Sequence, residues 1–154
     1  MDKLIEHLLK IKKQQDEDRQ ARSDFRQDWE SKVKHGLEQI KDWLRPVSIY
    51  SDVFAIDRKL NETEFNFRGV CERLSLEGLV VRIDERTISF VPAYVRSTGN
   101  DSTAARIEIR GTRCTMDLNY CVGGWTLFTN GETLPWNAEA LENLLLQSTS
   151  RLIL

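Results

Sequence analysis

Histidine occurs only twice in the 154 residues, at His7 and His35, and cysteine only three times, at Cys71, Cys114 and Cys121. Three unevenly placed cysteines without a Cys-x-x-Cys pair do not make a disulfide framework. Zinc takes about four closely spaced ligands, and the histidines lie far along the chain from the cysteines. The reading is reduced thiols, a cytoplasmic chain and no metal. With both histidines in one helical segment, a Ser-His or Cys-His couple is hard to assemble. There is no Gly-x-Ser-x-Gly elbow, no phosphate loop ending in Gly-Lys-Ser/Thr, no His-Glu-x-x-His helix and no dinucleotide fingerprint. No catalytic residue and no cofactor is assigned, and the chain leans away from being an enzyme. No apolar run approaches the ~20 residues that cross a bilayer. Met1 to His7 carries acid inside its apolar stretch and lacks a small-residue cleavage site, so it does not read as a signal peptide. A membrane partner is not expected.

A strong charge of one sign is also missing. The chain has 22 basic and 24 acidic residues, a formal net charge of −2, so no global field draws it to nucleic acid. Charge is unevenly spread, however. Residues 79–113 hold six arginines against four acids, and lysine stops at Lys59. Arg82, Arg86, Arg96, Arg106, Arg110 and Arg113 therefore form the alternative reading, a nucleic-acid-binding module.

What is present first is a helical segment. From Asp2 to Arg45 there is no proline and one glycine, Gly36. Asp2 suits an N-cap, and Pro46 enforces a stop near Arg45. Phe25, Trp29, Val33, Leu37, Ile40, Trp43 and Leu44 recur at spacings of three and four, a stripe that belongs on a core. A second stripe, Leu4, Ile5, Leu8, Leu9 and Ile11, opens the helix. Between the two, Lys12 to Asp24 carries eight charged residues and nothing apolar larger than Ala21.

If continuous, this helix is roughly 65 Å long at ~1.5 Å per residue, whereas the remaining residues make a domain only about 30–35 Å across. Its first turns then overhang, and apolar residues on an overhang need cover from another chain. The division expected is a helical arm, residues 1–24, followed by one domain, residues 25–154. The arm's stripe is assigned as the contact with a protein partner, most simply in a homodimer. A bend near Ser23-Asp24 that returns the stripe to its own domain is the other arrangement open at this stage.

Past Leu79 the apolar period changes from helical to alternating. A turn at Glu85-Arg86 pairs Ile83 with Ile88 and Val81 with Phe90. A turn at Thr112-Arg113 pairs Ile109 with Met116 and Ile107 with Leu118. One at Gly123-Gly124 pairs Tyr120 with Leu127, and one at Asn130-Gly131 pairs Leu127 with Leu134. Each leaves the large side chains on a common face, and a one-residue slip would expose them. The chain then enters a last helix with Asn137 as N-cap, Trp136 as a staple on Leu141, and Leu141, Leu144, Leu145 and Leu152 as its buried side.

The fold expected is α+β: a long N-terminal helix, an antiparallel meander of about six strands with one face covered by helices, and a C-terminal helix. Val47 to Ile56 looks extended. Residues 61–77 fit either helix (Phe65, Val70, Leu74) or strand (Phe65, Phe67, Leu74, Leu76), and a strand is preferred. Tyr94 to Thr103 reads as a surface loop.

The same registers define a polar sheet face that includes Arg82, Arg106, Glu108, Arg110 and Asp117. Glu108 falls directly opposite Asp117, an unfavourable like-charge pair unless compensated. Paired carboxylates can serve as acid and base or hold a divalent cation. Neutralisation by Arg106 and Arg110 on the same face is the simpler account. The function expected is a non-enzymatic protein-interaction module of adaptor, chaperone or inhibitor type.

Overall fold

The computed structural model describes residues 1–93, 95–97, 105–121 and 123–150. Helix α1 runs unbroken from Asp2 to Leu44 and continues into a 3-10 turn at Arg45–Val47. Good helix formers and the absence of proline sustain it, and Pro46 ends it. The N-cap is Met1 rather than Asp2, and no side chain caps the helix. There is no bend at Ser23-Asp24.

Among the described residues eight strands follow in one sheet: β1 (Phe54–Phe67), β2 (Val70–Ile83), β3 (Arg86–Pro92), β4 (Val95–Ser97), β5 (Ala105–Arg110), β6 (Met116–Cys121), β7 (Gly124–Thr129) and β8 (Glu132–Pro135). Helix α2 (Ala138–Thr149) closes the order. The spatial order is β4-β1-β2-β3-β5-β6-β7-β8, antiparallel throughout except where β4 runs parallel to the end of β1. Trp29, Ile40 and Leu44 from α1, Val81, Phe90, Ile107 and Leu118 from the sheet, and Leu141, Leu144 and Leu145 from α2 join one buried cluster. This is the α+β architecture expected, with both helices on one sheet face.

Two of the four anticipated registers hold residue for residue. Ile107 faces Leu118 and Glu108 faces Asp117, although residues 111–115 form a five-residue connection instead of a two-residue turn. Leu127 faces Leu134, and both Asn130 and Gly131 take positive φ (51° and 78°), as a hairpin turn matched to strand twist requires.

The other two registers are displaced by two residues, which preserves the faces. The β2–β3 turn is Asp84-Glu85, so Val81 faces Ile88 and Leu79 faces Phe90. Asp84 accepts φ 55°, and its N–H donates to the Val53 carbonyl at 2.8 Å. Between β6 and β7 the strands close at Cys121 and Gly124, which sets Tyr120 against Trp125 with ring centroids 5.5 Å apart. That cross-strand aromatic pair replaces the pairing of Tyr120 with Leu127.

The strand count exceeds six because residues 54–83 form one long hairpin, β1–β2, turned at Arg68-Gly69 with φ 52° and 82°. The choice of strand over helix for residues 61–77 is thus correct. The extended reading of Val47 to Ile56 is not, since residues 48–53 make turns and the strand starts at Phe54. β3 pairs β2 only from Leu79 to Ile83, so the outer part of the hairpin is a ribbon reaching out of the main sheet.

Along that ribbon the buried face changes parity. Phe54 is buried at one end, but Thr63 and Phe65 at the other, with no break in register. Two-stranded ribbons twist more than broad sheets, and this one turns its second face onto α1. Phe65 packs on Trp29 and Phe25 with ring centroids 5.8 and 5.9 Å apart. At its tip Arg68 pairs with Asp18 at 2.9 Å, and Glu72 faces Arg22 and Arg26 at 3.6 and 3.8 Å. The hairpin therefore engages α1 from Asp18 onward, where Asp18 and Arg22 of the charged middle meet opposite charges.

The segment expected as a loop from Tyr94 to Thr103 contains β4; Tyr94 and residues 98–104 lie outside the described residues, as does Leu152. Asn137 caps α2, its Oδ1 accepting from the Ala140 N–H at 2.8 Å.

Candidate functional site

Two surfaces were anticipated, and the structure places them on different parts of the molecule. The first is the start of α1. Before Asp18 the helix is exposed on all sides, and Leu4, Ile5, Leu8, Leu9 and Ile11 are each 42–60% exposed. Regular helical spacing sets all five on one broad flank. None of the five belongs to the core cluster or to the half-buried residues packed against it. Large apolar side chains scattered singly on a surface need no explanation, whereas these five are contiguous on one flank of a free-standing rod.

The second is the sheet face away from the helices. Alternation along β5 and β6 presents Arg106, Glu108, Arg110 and Asp117 there. Arg106 bridges both acids, at 3.0 Å to Asp117 and 3.6 Å to Glu108, and Arg110 pairs with Glu108 at 2.9 Å. The two carboxylates face one another across the strands and are each held by an arginine. Arg82 is not part of this group: it is exposed on β2, opposite Ala55 and Thr87. Among the described residues no cluster of three or more His, Cys, Asp or Glu could hold a metal ion.

Of the arginines in the basic segment, Arg106 and Arg110 are engaged by carboxylates, whereas Arg82, Arg86 and Arg113 are exposed. The Arg96 side chain lies outside the described set. His35 is exposed on α1. Cys71 and Cys114 are exposed free thiols. Desolvation, followed by the neighbouring Glu64 carboxylate at 3.6 Å, pushes the Cys71 thiol above its ordinary value.

A third surface was not anticipated. An apolar groove of about 580 Å³ lies between the end of α1, the turns that follow it and α2, with Trp43, Val47, Tyr50, Val53, Leu145 and Leu146 among its walls. The signal for it was the apolar content of residues 47–53, which reads as an extended strand when the turns are not recognised.

The chain matches no family model, no curated protein and no solved structure with which it was compared. Among the described residues no helix is long and apolar enough to cross a membrane.

Proposed function

We propose that this chain is a protein-interaction module that holds its partner through the overhanging start of α1. The observation that carries the reading is the exposed group Leu4, Ile5, Leu8, Leu9 and Ile11 on a helix that leaves its own domain at Asp18. Burying one such side chain fully is favourable by ~1.5–3 kcal/mol, so a complementary apolar surface would find a strong anchor there. The exposed thiols of Cys71 and Cys114 suit a reducing, cytoplasmic setting.

Nucleic-acid binding through the arginine segment has less support. Arg106 and Arg110 are already paired with carboxylates, and among the described residues no stacking platform of exposed aromatics accompanies them. Acid–base or metal chemistry at Glu108 and Asp117 has less support still, because each carboxylate is neutralised by an arginine.

Capture by the immobilised full chain, compared with the same chain carrying Leu4→Glu and Leu8→Glu, tests the reading. Proteins retained by the first, this chain included, should fall at least ~10-fold with the second, in line with ~1.4 kcal/mol per tenfold. Equal retention by both, or retention by neither, sinks the reading. Equal far-UV circular dichroism of the two chains verifies that the helix is intact.

A further inference from the structure

We infer that the apolar groove beside α2 is covered by this chain's own residues Leu152, Ile153 and Leu154, folded back along the helix. The groove runs the length of α2. Ala138, Leu141, Glu142, Leu145, Leu146 and Thr149 all line it, and their spacing makes them a single flank of the helix. That flank is about 17 Å long at ~1.5 Å per residue. Across from it stand the end of α1 and the turns at residues 48–53. Tyr50, Val53 and Leu146 in its walls are 54–61% exposed, so a contiguous apolar surface stays open to water until something fills it.

The place where α2 delivers the chain decides what fills it. Thr149, the last residue of the helix, is itself part of the wall. At Ser150 the backbone leaves the helix for an extended conformation, φ −64° and ψ 127°. The next residues are Arg151, Leu152, Ile153 and Leu154, so three large apolar residues follow directly on the end of an apolar groove. Four extended residues reach about 13 Å at ~3.3 Å each, and Leu152 and Leu154 then share one side of the segment. Periodicity placed Leu152 on the buried side of α2; the helix stops too early for that, and a reversal at Ser150 brings the same residue to the same flank.

The tether and the charge favour this occupant over a separate molecule. A segment joined to the groove wall through Ser150 alone stands at an effective concentration of about millimolar, with which any other chain must compete. Glu142 is the one charged residue of the described walls, and α2 carries Glu139 besides but no lysine or arginine. Arg151 is the only basic residue after Arg113. Just past the helix it meets the negative pole of α2, whose last turn has no basic residue of its own, and the reversal carries its guanidinium toward Glu142. The groove lies at the opposite end of α1 from Leu4 to Ile11, so this inference and the proposed contact stand or fall separately.

Nuclear Overhauser spectra of the full chain with labelled Ile, Leu and Val methyls test the fold-back. Cross-peaks should join Leu152 and Leu154 to Val47, Val53 and Leu146. Leu152→Asp together with Leu154→Asp should abolish them and shift the Val47 and Val53 signals. Ile88 and Ile107, buried in the sheet, should keep their positions, which verifies an intact fold; if they move, the cross-peaks of the unsubstituted chain decide alone. Leu152 and Leu154 signals with no cross-peak to the groove, or with cross-peaks to another part of the molecule, overturn the inference. A mixture of two differently labelled samples identifies the source: cross-peaks between differently labelled molecules give the groove to a second copy and overturn the fold-back.

Discussion

Gly36, the only glycine of α1, sits where the helix passes closest to Trp125. A β-carbon there would lie 2.8 Å from Trp125 Cε2 and 2.9 Å from its Nε1. The half-buried ring packs edge-on against Tyr120, over which the Lys32 ammonium sits at 4.9 Å. Alanine would regain about 1 kcal/mol of helix propensity, while overpacking costs about 1–3 kcal/mol. Gly36→Ala should therefore destabilise the fold by about 1 kcal/mol, read by chemical denaturation. In a Trp125→Leu background, the same change should turn neutral or stabilising. The sequence marks Gly36 as an oddity in a helix; only the packing of Trp125 gives the reason.

At the scale of elements, the sheet shows how far alternation can be trusted. Parity of the strands past Leu79 was legible because each carries its large apolar residues on one side, and shifts of two residues in two hairpins left those faces unchanged. The outer ribbon was not legible in the same way. Its buried side moves from Phe54 to Phe65 across an odd spacing, since a twisted ribbon wraps around α1 instead of lying flat. The polar face offers a test between neighbouring ion pairs. Asp117 is only 14% exposed beside Arg106, whereas Arg110 is 63% exposed over Glu108. Arg106→Ala leaves two carboxylates facing one another, one largely desolvated, and should cost about 1–3 kcal/mol. Arg110→Ala removes an exposed pair and should cost under about 1 kcal/mol. Denaturation of the two variants at neutral pH gives the comparison; equal losses would mean that Asp117 does not depend on Arg106.

For the whole molecule, the relevant boundary is the place where α1 leaves the hairpin. Asp18 is held by Arg68, and Trp29 is fully buried among Phe65 and the sheet. Removing residues 1–17 from a dilute sample should leave the melting temperature within about 2 °C, because surface groups away from packed features contribute little. Removing residues 1–29 takes away Trp29, Phe25 and the helix turns that carry them; losing one large buried aromatic alone costs about 3–5 kcal/mol, against the roughly 5–15 kcal/mol that holds an ordinary domain together. That chain should not fold. A large loss of stability from the shorter truncation would show that the overhang is packed within its own molecule.

Periodicity in the amino-acid order was enough to determine the long helix, the final capped helix, the faces of the later strands and the opposition of Glu108 and Asp117, because these depend on local spacing and on which side chains avoid water. The same local spacing also identified the apolar turns at residues 4–11. The tertiary structure alone decided how far along α1 the hairpin reaches and that an apolar groove opens beside α2, and it set the distances at which Arg106 and Arg110, already expected beside the facing acids, hold them. Each of these depends on side chains brought together from distant parts of the chain, where ribbon twist and turn geometry, not residue period, set the distances.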